Sequence, residues 1–269
     1  MSLRLGQSAG WRVRWCRSDG GVSARLWLRS GPAANALQGA GHGVTTQPVA
    51  VSSRESVSSL AQAAAGVGSV VQVVNTAGLS PVMAPPTAIL AVDLLGTALV
   101  LEEFGMVIAS GGAGVVISSM AGYMLPRLEA ALDEALASTP TDELLQLPFL
   151  GAEAVPNSGA AYAISKRVNH LRVQSASVRW GDRGARVGCI SPGIILTPLA
   201  RQEMDSEGGP TYRKMIETSA AGRVGTTEEV ASAAAFLLGP DAGFITGSDL
   251  LMDGGVIAAL RAGRWALSR

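Results

Sequence analysis

A tyrosine and a lysine stand four residues apart in the stretch "AYAISK", residues 161–166. The stretch predicts helix, and four residues is about one helical turn, so Tyr162 and Lys166 would share one face. A phenol has an ordinary pKa of about 10, and a nearby ammonium favours its phenolate. The pair could transfer protons near neutral pH, or it could be an exposed pair of no consequence. Y-x-x-x-K occurs by chance in many helices, so the surrounding elements must decide.

The elements that would position this pair alternate between strand and helix from residue 44 onward. Apolar, partly β-branched runs predict strands at 44–51, 69–78, 113–122, 185–193 and 248–255, and longer runs predict helices at 53–66, 86–109, 160–180 and 226–239. This alternation indicates a parallel sheet covered on both faces. With right-handed crossovers, the chain is predicted to be a single α/β domain, residues 1–269, with a doubly wound, mostly parallel, Rossmann-like sheet.

The composition narrows the class of protein. The chain has 269 residues, 48% hydrophobic and 16% charged, which allows a large core. Its formal net charge is zero, which gives no reason to expect nucleic acid as a partner. We expect no membrane span, because no apolar run reaches about 18 residues, and no secretory leader. Cys16 and Cys189 are far apart and form no C-x-x-C pair, so neither a disulfide framework nor a metal site is expected, and the cytoplasm fits best.

Polar and turn-forming residues follow three of the predicted strands. They are "NTAG" at 75–78, "SSMAG" at 118–122 and "SPGIILT" at 191–197. The helix with Tyr162 and Lys166 comes after the second of them. Ligands in doubly wound sheets bind at the carboxyl ends of the strands. These groups are therefore expected to meet at one edge of the sheet.

This order of motifs resembles the short-chain dehydrogenase/reductase family over roughly residues 40 to 258. The resemblance rests on "NTAG", "ISSMAG" (117–122), "YAISK" (162–166), "SPGIILTP" (191–198) and "TGSDLLMDGG" (246–255). The long gap between Ser119 and Tyr162, with "GARVGCISPGIILTPL" after it, is similar to the bacterial 3α-hydroxysteroid dehydrogenase/carbonyl reductase branch. The family implies an oxidoreductase that interconverts a secondary alcohol and a ketone with NAD, or alternatively NADP. It also implies an apolar substrate, for which a steroid is one candidate, and a homo-oligomer, a dimer or a tetramer.

The resemblance assigns catalytic roles to four side chains. Tyr162 would transfer the proton, and Lys166 would lower its pKa and hold the ribose of the nicotinamide. Ser119 would hydrogen-bond the reacting oxygen. Asp93 replaces the asparagine that usually links the lysine to a proton-relay water. Asp93 could still bind that water, or it could pair with Lys166 and weaken the effect of the lysine on Tyr162.

The resemblance also assigns a cofactor site. Asn75 would brace the strand end near the adenosine ribose, and Ala77 and Gly78 would be small because the cofactor passes close to the backbone. Pro192 and Gly193 would form the wall of the nicotinamide pocket. The backbone of Ile195 and the hydroxyl of Thr197 would bind the carboxamide.

Residues 1–43 are atypical for the family. A strand and a G-x-x-x-G-x-G turn normally cradle the pyrophosphate there, but this chain offers only "GQSAG" (6–10) and "SDGG" (18–21). Arg29, if it ended a second strand, would favour NADP, and Ala50 and Gly188 replace the acid and asparagine usual at their positions. An alternative function is therefore a catalytically impaired binding protein that retains the fold. We predict weak dinucleotide affinity.

Two further segments lie between the motifs. "GGAG" at 111–114 looks like a phosphate loop, but it precedes a strand instead of following one, so a turn entering the strand is predicted. Residues 124–150 contain two amphipathic stretches and predict a helical insertion between Ser119 and Tyr162, near the active site. We expect this insertion to shape the substrate pocket or an oligomer contact.

Overall fold

A computed structural model of the chain describes residues 12–14, 26–28, 31–126, 128–151 and 153–266. The turns "GQSAG" and "SDGG" and the residue Arg29 lie outside the described residues. In the N-terminal segment, the structure describes two short strands and one helix.

Within the described residues, six strands form one sheet in the order β2-β1-β3-β4-β5-β6. Their bounds are β1 Arg12–Arg14, β2 Leu26–Leu28, β3 Val70–Asn75, β4 Ile108–Ile117, β5 Arg186–Pro192 and β6 Asp249–Met252. The strands β3 to β6 run parallel to one another. Strand β1 pairs with both β2 and β3 in the antiparallel sense. The prediction of a doubly wound, mostly parallel α/β sheet is confirmed.

Helices follow the strands along the chain. They are α1 Gly31–Gly39, α2 Arg54–Val67, α3 Pro86–Ile89, α4 Gly96–Gly105, α5 Ala130–Ser138, α6 Ser158–Gly181, α7 Pro198–Asp205, α8 Gly209–Thr218, α9 Thr227–Leu238 and α10 Val256–Arg261. A π-helical segment, Leu90–Leu95, joins α3 to α4. Shorter 3-10 turns occupy Met120–Tyr123, Thr141–Gln146, Pro148–Leu150 and Pro240–Ala242. None of the helices among the described residues is both long and apolar enough to cross a membrane.

The strand predicted at 44–51 is wrong. That segment is irregular up to a turn at residues 51–52, although Val49 and Val51 are buried in the same core cluster as β3. Pro48 removes one ladder donor and restricts the residue before it. The segment therefore supplies apolar side chains to the core without pairing its backbone.

The "GGAG" stretch lies inside β4, where the sheet is irregular. Val70 pairs with Ile108 and Gln72 with Ala113, so four residues of β4 stand opposite one residue of β3. Gly111 has φ of 77°, which favours glycine. A Cβ on Gly114 would lie 2.7 Å from the ring of Trp180, a fully buried side chain of α6. The glycines thus serve a bulge and close packing within β4, where the sequence had suggested a turn before the strand.

The sheet is covered on both faces. One face packs against α2, α4 and α6 in the largest core cluster, which includes Leu60, Phe104 and Trp180. The other face packs against α9, where Ala234 and Leu237 contact Val115 and Ile190. This layering holds the carboxyl ends of β3, β4 and β5 at a common edge.

The segment at 124–150 contains α5 followed by two 3-10 turns. Leu136 and Leu144 are fully buried in an apolar cluster that also receives Tyr162 at its margin. Asp133 forms an ion pair of 2.6 Å with Arg167 of α6. The segment is therefore packed against the helix that carries Tyr162 and Lys166.

Candidate active site

Helix α6 places Tyr162 and Lys166 at the carboxyl edge of the sheet. The helix begins after Asn157, whose side chain accepts a hydrogen bond from the Ala160 amide at 2.9 Å. Ser118, at the end of β4, donates to the carbonyl of Lys166 at 2.9 Å and so ties the helix to that strand end. The Nζ atom of Lys166 lies 5.1 Å from the centre of the Tyr162 ring. The two side chains share one helix face, as the spacing indicates.

Asp93 meets Lys166 from the opposite side. Its Oδ2 lies 3.1 Å from the lysine Nζ, and its Oδ1 accepts from the amide of Leu79 at 2.7 Å. Asp93 belongs to the π-helical segment, a type of wide turn often found at functional sites. The Asn169 amide, oriented so that its nitrogen donates, bonds the main-chain oxygens of Asp93 (3.0 Å) and Ser165 (3.1 Å). Of the two sequence-based alternatives for Asp93, the structure shows the pair with Lys166.

Ser119 has two partners in the structure. Its Oγ accepts from the amide of Ala121 at 3.2 Å and caps the 3-10 turn that follows β4. Its hydroxyl also lies close enough to Tyr162 to lower the pKa of that tyrosine. The same serine therefore shapes the strand end and favours the phenolate of Tyr162.

Burial and the neighbouring groups shift the pKa of Tyr162 in opposite directions. Burial raises this pKa most, Lys166 and Ser119 lower it, and Asp93 and Glu203 raise it again, so that it lies above the ordinary value. Lys166 lowers the pKa of Tyr162, as the sequence led us to expect, but all contributions together leave that pKa above its ordinary value. Burial opposes the charge of Lys166 as well, but the attraction of Asp93 and Tyr162 raises its pKa. Lys166 is therefore a permanent ammonium at physiological pH.

The loop after β3 packs closely on the Lys166–Asp93 pair. Asn75 is buried, accepts from the Ala77 amide at 3.1 Å and donates to Thr97 at 3.4 Å, which fixes the strand end. Ala77 is buried as well. A Cβ on Gly78 would lie 3.2 Å from both Lys166 Nζ and Asp93 Oδ2, so any side chain there would press on the pair.

The turn after β5 carries the other predicted contacts. Pro192 ends the strand, and a Cβ on Gly193 would lie 2.7 Å from Cα of Asp253, which explains the glycine. Gly225 forms two backbone hydrogen bonds around Ile195: its carbonyl accepts from the Leu196 amide, and its own amide donates to the Ile194 carbonyl. The N–H of Ile195 takes part in neither bond. Thr197 caps α7 by accepting from Ala200 at 3.1 Å, which leaves its O–H free to donate.

The fit of a dinucleotide is uneven along the edge of the sheet. The nicotinamide end offers suitable donors, because the ammonium of Lys166 lies beside Gly78 and the amide of Ile195 lies outside its backbone bridge. At the diphosphate end, β1 occupies the position beside β3, but it runs antiparallel to it, with Val13 opposite Asn75. The carboxyl end of β1 therefore lies at the opposite end of the sheet from the carboxyl end of β3.

Sequence reasoning missed several residues of the site. Ser118 and Asn169 anchor α6 and the π-helical segment, and neither signals this role by type or spacing. Glu203 on α7 accepts from Ser80 at 2.5 Å and raises the pKa of Tyr162. In the sequence, the one signal that could have pointed to the Ser80–Glu203 contact is the position of Ser80, two residues after "NTAG".

A buried polar network braces the neighbouring strands. Asp249 of β6 accepts from Tyr123 at 2.5 Å and from Ser191 at 2.8 Å, and Ser191 is also bonded to His170 of α6 at 2.8 Å. One ligand atom from each of His170, Cys189 and Asp249 lies within 4.8 Å of the others. Burial, however, raises the pKa of the Cys189 thiol well above its ordinary value, which opposes the thiolate that a metal would need. We interpret the network as structural.

A Rossmann-like sheet with serine, tyrosine and lysine at its carboxyl edge is the arrangement of a nicotinamide-dependent oxidoreductase. A family profile described as enoyl-(acyl carrier protein) reductase matches residues 128–257. The short-chain dehydrogenase/reductase bsc3 of Alternaria brassicicola is 44% identical over 221 residues, which cover 82% of this chain and 80% of that protein. The chain belongs to the short-chain dehydrogenase/reductase family and is an oxidoreductase of that family, as the sequence motifs predicted.

Two further relatives bear on the branch. The 3-alpha-hydroxysteroid dehydrogenase/carbonyl reductase of Comamonas testosteroni is 30% identical over 188 residues, covering 69% of this chain and 72% of that one. The crystal structure of the 3-alpha-hydroxysteroid dehydrogenase from Pseudomonas sp. B-0831 complexed with NADH has a TM-score of 0.70 at 28% identity, covering 85% and 92% of the two chains. Both support the branch to which the sequence was compared.

Proposed function

We propose that this chain interconverts a secondary alcohol and a ketone, with NAD as the first candidate for its cofactor and NADP as the alternative. The observation that carries the proposal is the grouping of Ser119, Tyr162 and Lys166 on two adjacent elements at one sheet edge. When bound, the nicotinamide would donate or accept the hydride. The residues of the chain must then stabilise the oxygen of the substrate and move one proton.

Tyr162 is the proton-transferring group in this proposal. In ketone reduction its phenol gives a proton to the oxygen that becomes the alcohol, and in alcohol oxidation its phenolate takes that proton back. The hydroxyl of Ser119 lowers the pKa of Tyr162 and would donate to the same substrate oxygen. A positioned acid or base contributes about 10²–10⁴-fold in rate.

Lys166 and Asp93 set the electrostatic conditions for this step. The ammonium favours the phenolate of Tyr162, while the carboxylate of Asp93 opposes it and neutralises part of the lysine charge. The three donors of Lys166 are not exhausted by Asp93. One of them would hold the ribose hydroxyls of the nicotinamide nucleoside.

The remaining contacts would orient the cofactor. Pro192 and Gly193 would wall one face of the nicotinamide, and the N–H of Ile195 and the O–H of Thr197 are donors suited to the carboxamide oxygen. Asn75, Ala77 and Gly78 would line the path toward the adenosine. Of these, Gly78 has the strongest structural support, since a side chain there would meet Lys166.

The substrate is proposed to be largely apolar, with a hydroxysteroid as one candidate. Support comes from the methionine-rich cluster beside the strand ends, where Met120, Ile194 and Met215 pack with Tyr212. The cluster that receives Tyr162 also receives Leu128, Leu132 and Phe149 from the insertion. We propose that the insertion at 124–150 shapes the substrate pocket or a contact within a homo-oligomer, a dimer or a tetramer.

A second candidate function is a catalytically impaired binding protein. The antiparallel pairing of β1 with β3 favours it, because a parallel strand at that place normally leads to the phosphate turn. Such a protein would bind the small molecule but turn it over poorly, because the cofactor would not be held.

Turnover of NAD(H) and NADP(H) against hydroxysteroids, aromatic ketones and small cyclic alcohols tests the two candidates. Wild-type turnover that Tyr162→Phe abolishes supports the oxidoreductase proposal. The impaired-protein candidate predicts no turnover and little change of tryptophan fluorescence on cofactor titration. Trp180 and Trp265 are buried reporters in the described fold for that titration.

A further inference from the structure

The carboxylate of Glu203 stands beside the catalytic tyrosine and has a fixed position. Glu203 lies on α7, the helix that Thr197 caps, and its Oε1 accepts from the hydroxyl of Ser80 at 2.5 Å. Ser80 is only 5% exposed and begins a turn in which the amide of Met83 bonds its carbonyl at 2.9 Å. The carboxylate is therefore held by a buried donor on the loop after β3, and α7 is held to that loop with it.

No described residue forms a hydrogen bond with the second oxygen of Glu203, Oε2, and this atom is not among the buried side-chain atoms that lack a partner. A carboxylate oxygen has two acceptor positions. Oε2 therefore remains available to a donor from outside the chain, while Oε1 keeps the group in place.

The Ser80–Glu203 bond places this carboxylate near the catalytic residues. Ser80 follows Leu79, whose amide donates to Asp93 at 2.7 Å and whose side chain packs in the same apolar cluster as Tyr162. The charge of Glu203 also raises the pKa of both Tyr162 and Tyr212. Raising the pKa of Tyr162 opposes phenolate formation and thus opposes alcohol oxidation. Recognition of a donor on the substrate would offset that disadvantage, because a hydrogen bond to a charged acceptor is among the stronger ones.

We propose that Glu203 is a specificity-determining residue that accepts a hydrogen bond from a second donor group of the substrate. This inference rests on the proposed alcohol–ketone reaction and deepens it. The favoured substrate class is then an otherwise apolar alcohol or ketone that carries a second hydroxyl away from the reacting carbon. Tyr162 and Ser119 bind the reacting oxygen, and Glu203 binds the other.

Matched alcohols test this assignment in the full-length protein. Cyclohexanol is compared with the 1,2-, 1,3- and 1,4-cyclohexanediols, and a mono-hydroxysteroid with its dihydroxy counterpart. We expect Glu203→Gln to lower the ratio of kcat/KM for the preferred diol to kcat/KM for the mono-alcohol about tenfold or more, mainly through the KM of the diol. Loss of the Glu203 charge also lowers the pKa of Tyr162, but this shifts the pH profiles of the diol and the mono-alcohol alike. Glu207→Gln is the control, since it removes the same charge from an exposed position four residues further on.

Ser80→Ala provides a second, charge-neutral test. It frees the carboxylate from its buried donor, so the preference for the diol should fall, by less than in Glu203→Gln. An equal loss for mono-alcohols and diols in both variants would show that Glu203 merely positions α7, and would overturn the proposal. A diol preference unchanged by Glu203→Gln would overturn it as well. Absence of wild-type turnover across the whole panel would instead refute the alcohol–ketone reaction, and this inference with it.

Discussion

The ammonium of Lys166 lies 3.1 Å from Oδ2 of Asp93, and the two side chains are only 4% and 0% exposed. The lysine ammonium therefore interacts with two groups, the carboxylate of Asp93 and the phenol of Tyr162. Because both charges are buried, each partner depends on the other to remain charged. The pair makes the proton affinity of Tyr162 sensitive to a residue that does not contact it.

Asp93→Asn should move the pH profile of alcohol oxidation to lower pH. The Asp93 charge raises the pKa of Tyr162, so its removal lowers that pKa. Oxidation needs the phenolate as base, and its rate therefore rises with pH through this pKa. We expect the rising limb of kcat/KM to appear at lower pH in the variant. A limb that stays in place, or moves upward, would show that Asp93 does not act on Tyr162.

The same substitution should also weaken the fold. It leaves the Lys166 ammonium buried without its carboxylate, which typically costs about 3–5 kcal/mol. The folded pKa of Lys166 is raised above the unfolded value of about 10.4. Its contribution to stability is thus fully present below that value and is lost as pH rises through the folded pKa. Urea unfolding at pH 7 measures the difference, with the exposed Asp182→Asn as the control.

Tyr162→Phe should remove catalysis and keep the fold. The ring packs at the edge of an apolar cluster, and phenylalanine retains that packing while it removes the proton donor. We expect turnover to fall by two to four orders of magnitude, about 10²–10⁴-fold, with an unchanged circular dichroism spectrum. Wild-type turnover in this variant would mean that another group transfers the proton.

Leu136→Ala tests how firmly the insertion belongs to the fold. Leu136 of α5 is fully buried beside Leu144 and Leu150, so truncation should leave a cavity and cost about 2–5 kcal/mol. Leu145 is 36% exposed in the same insertion, and Leu145→Ala should change the free energy of unfolding far less. Equal effects of the two substitutions would mean that the insertion is a loosely attached element.

Helical spacing predicted that Tyr162 and Lys166 share one face, and the structure shows this. Their catalytic roles and that of Ser119 follow from the resemblance of the motifs to the family and stay predictions. The Ser80–Glu203 bond joins residues 123 positions apart, and the π-helical turn at Asp93 has no residue signature. The prediction of a strand at 44–51 is wrong because apolar, β-branched residues are suited to burial in the core as well as to strand pairing. Whether such a run pairs depends on a neighbouring strand, which the run itself does not encode.

Replacing residues 1–40 with the first strand and G-x-x-x-G-x-G turn that are usual in the family should strengthen dinucleotide binding. In the present chain β1 runs antiparallel beside β3, and a parallel first strand with its glycine turn normally presents backbone amides to the diphosphate. We expect wild-type affinities for NAD(H) and NADP(H) much weaker than low-micromolar, and a gain of at least tenfold in the chimera. The nicotinamide end, built on Lys166 and Thr197, is unchanged by the exchange, so the gain would belong to the diphosphate end alone. Calorimetric titration of both proteins is the measurement. Low-micromolar binding by the wild-type chain would show that residues 1–40 already hold the diphosphate, and the impaired-protein candidate would then be dropped.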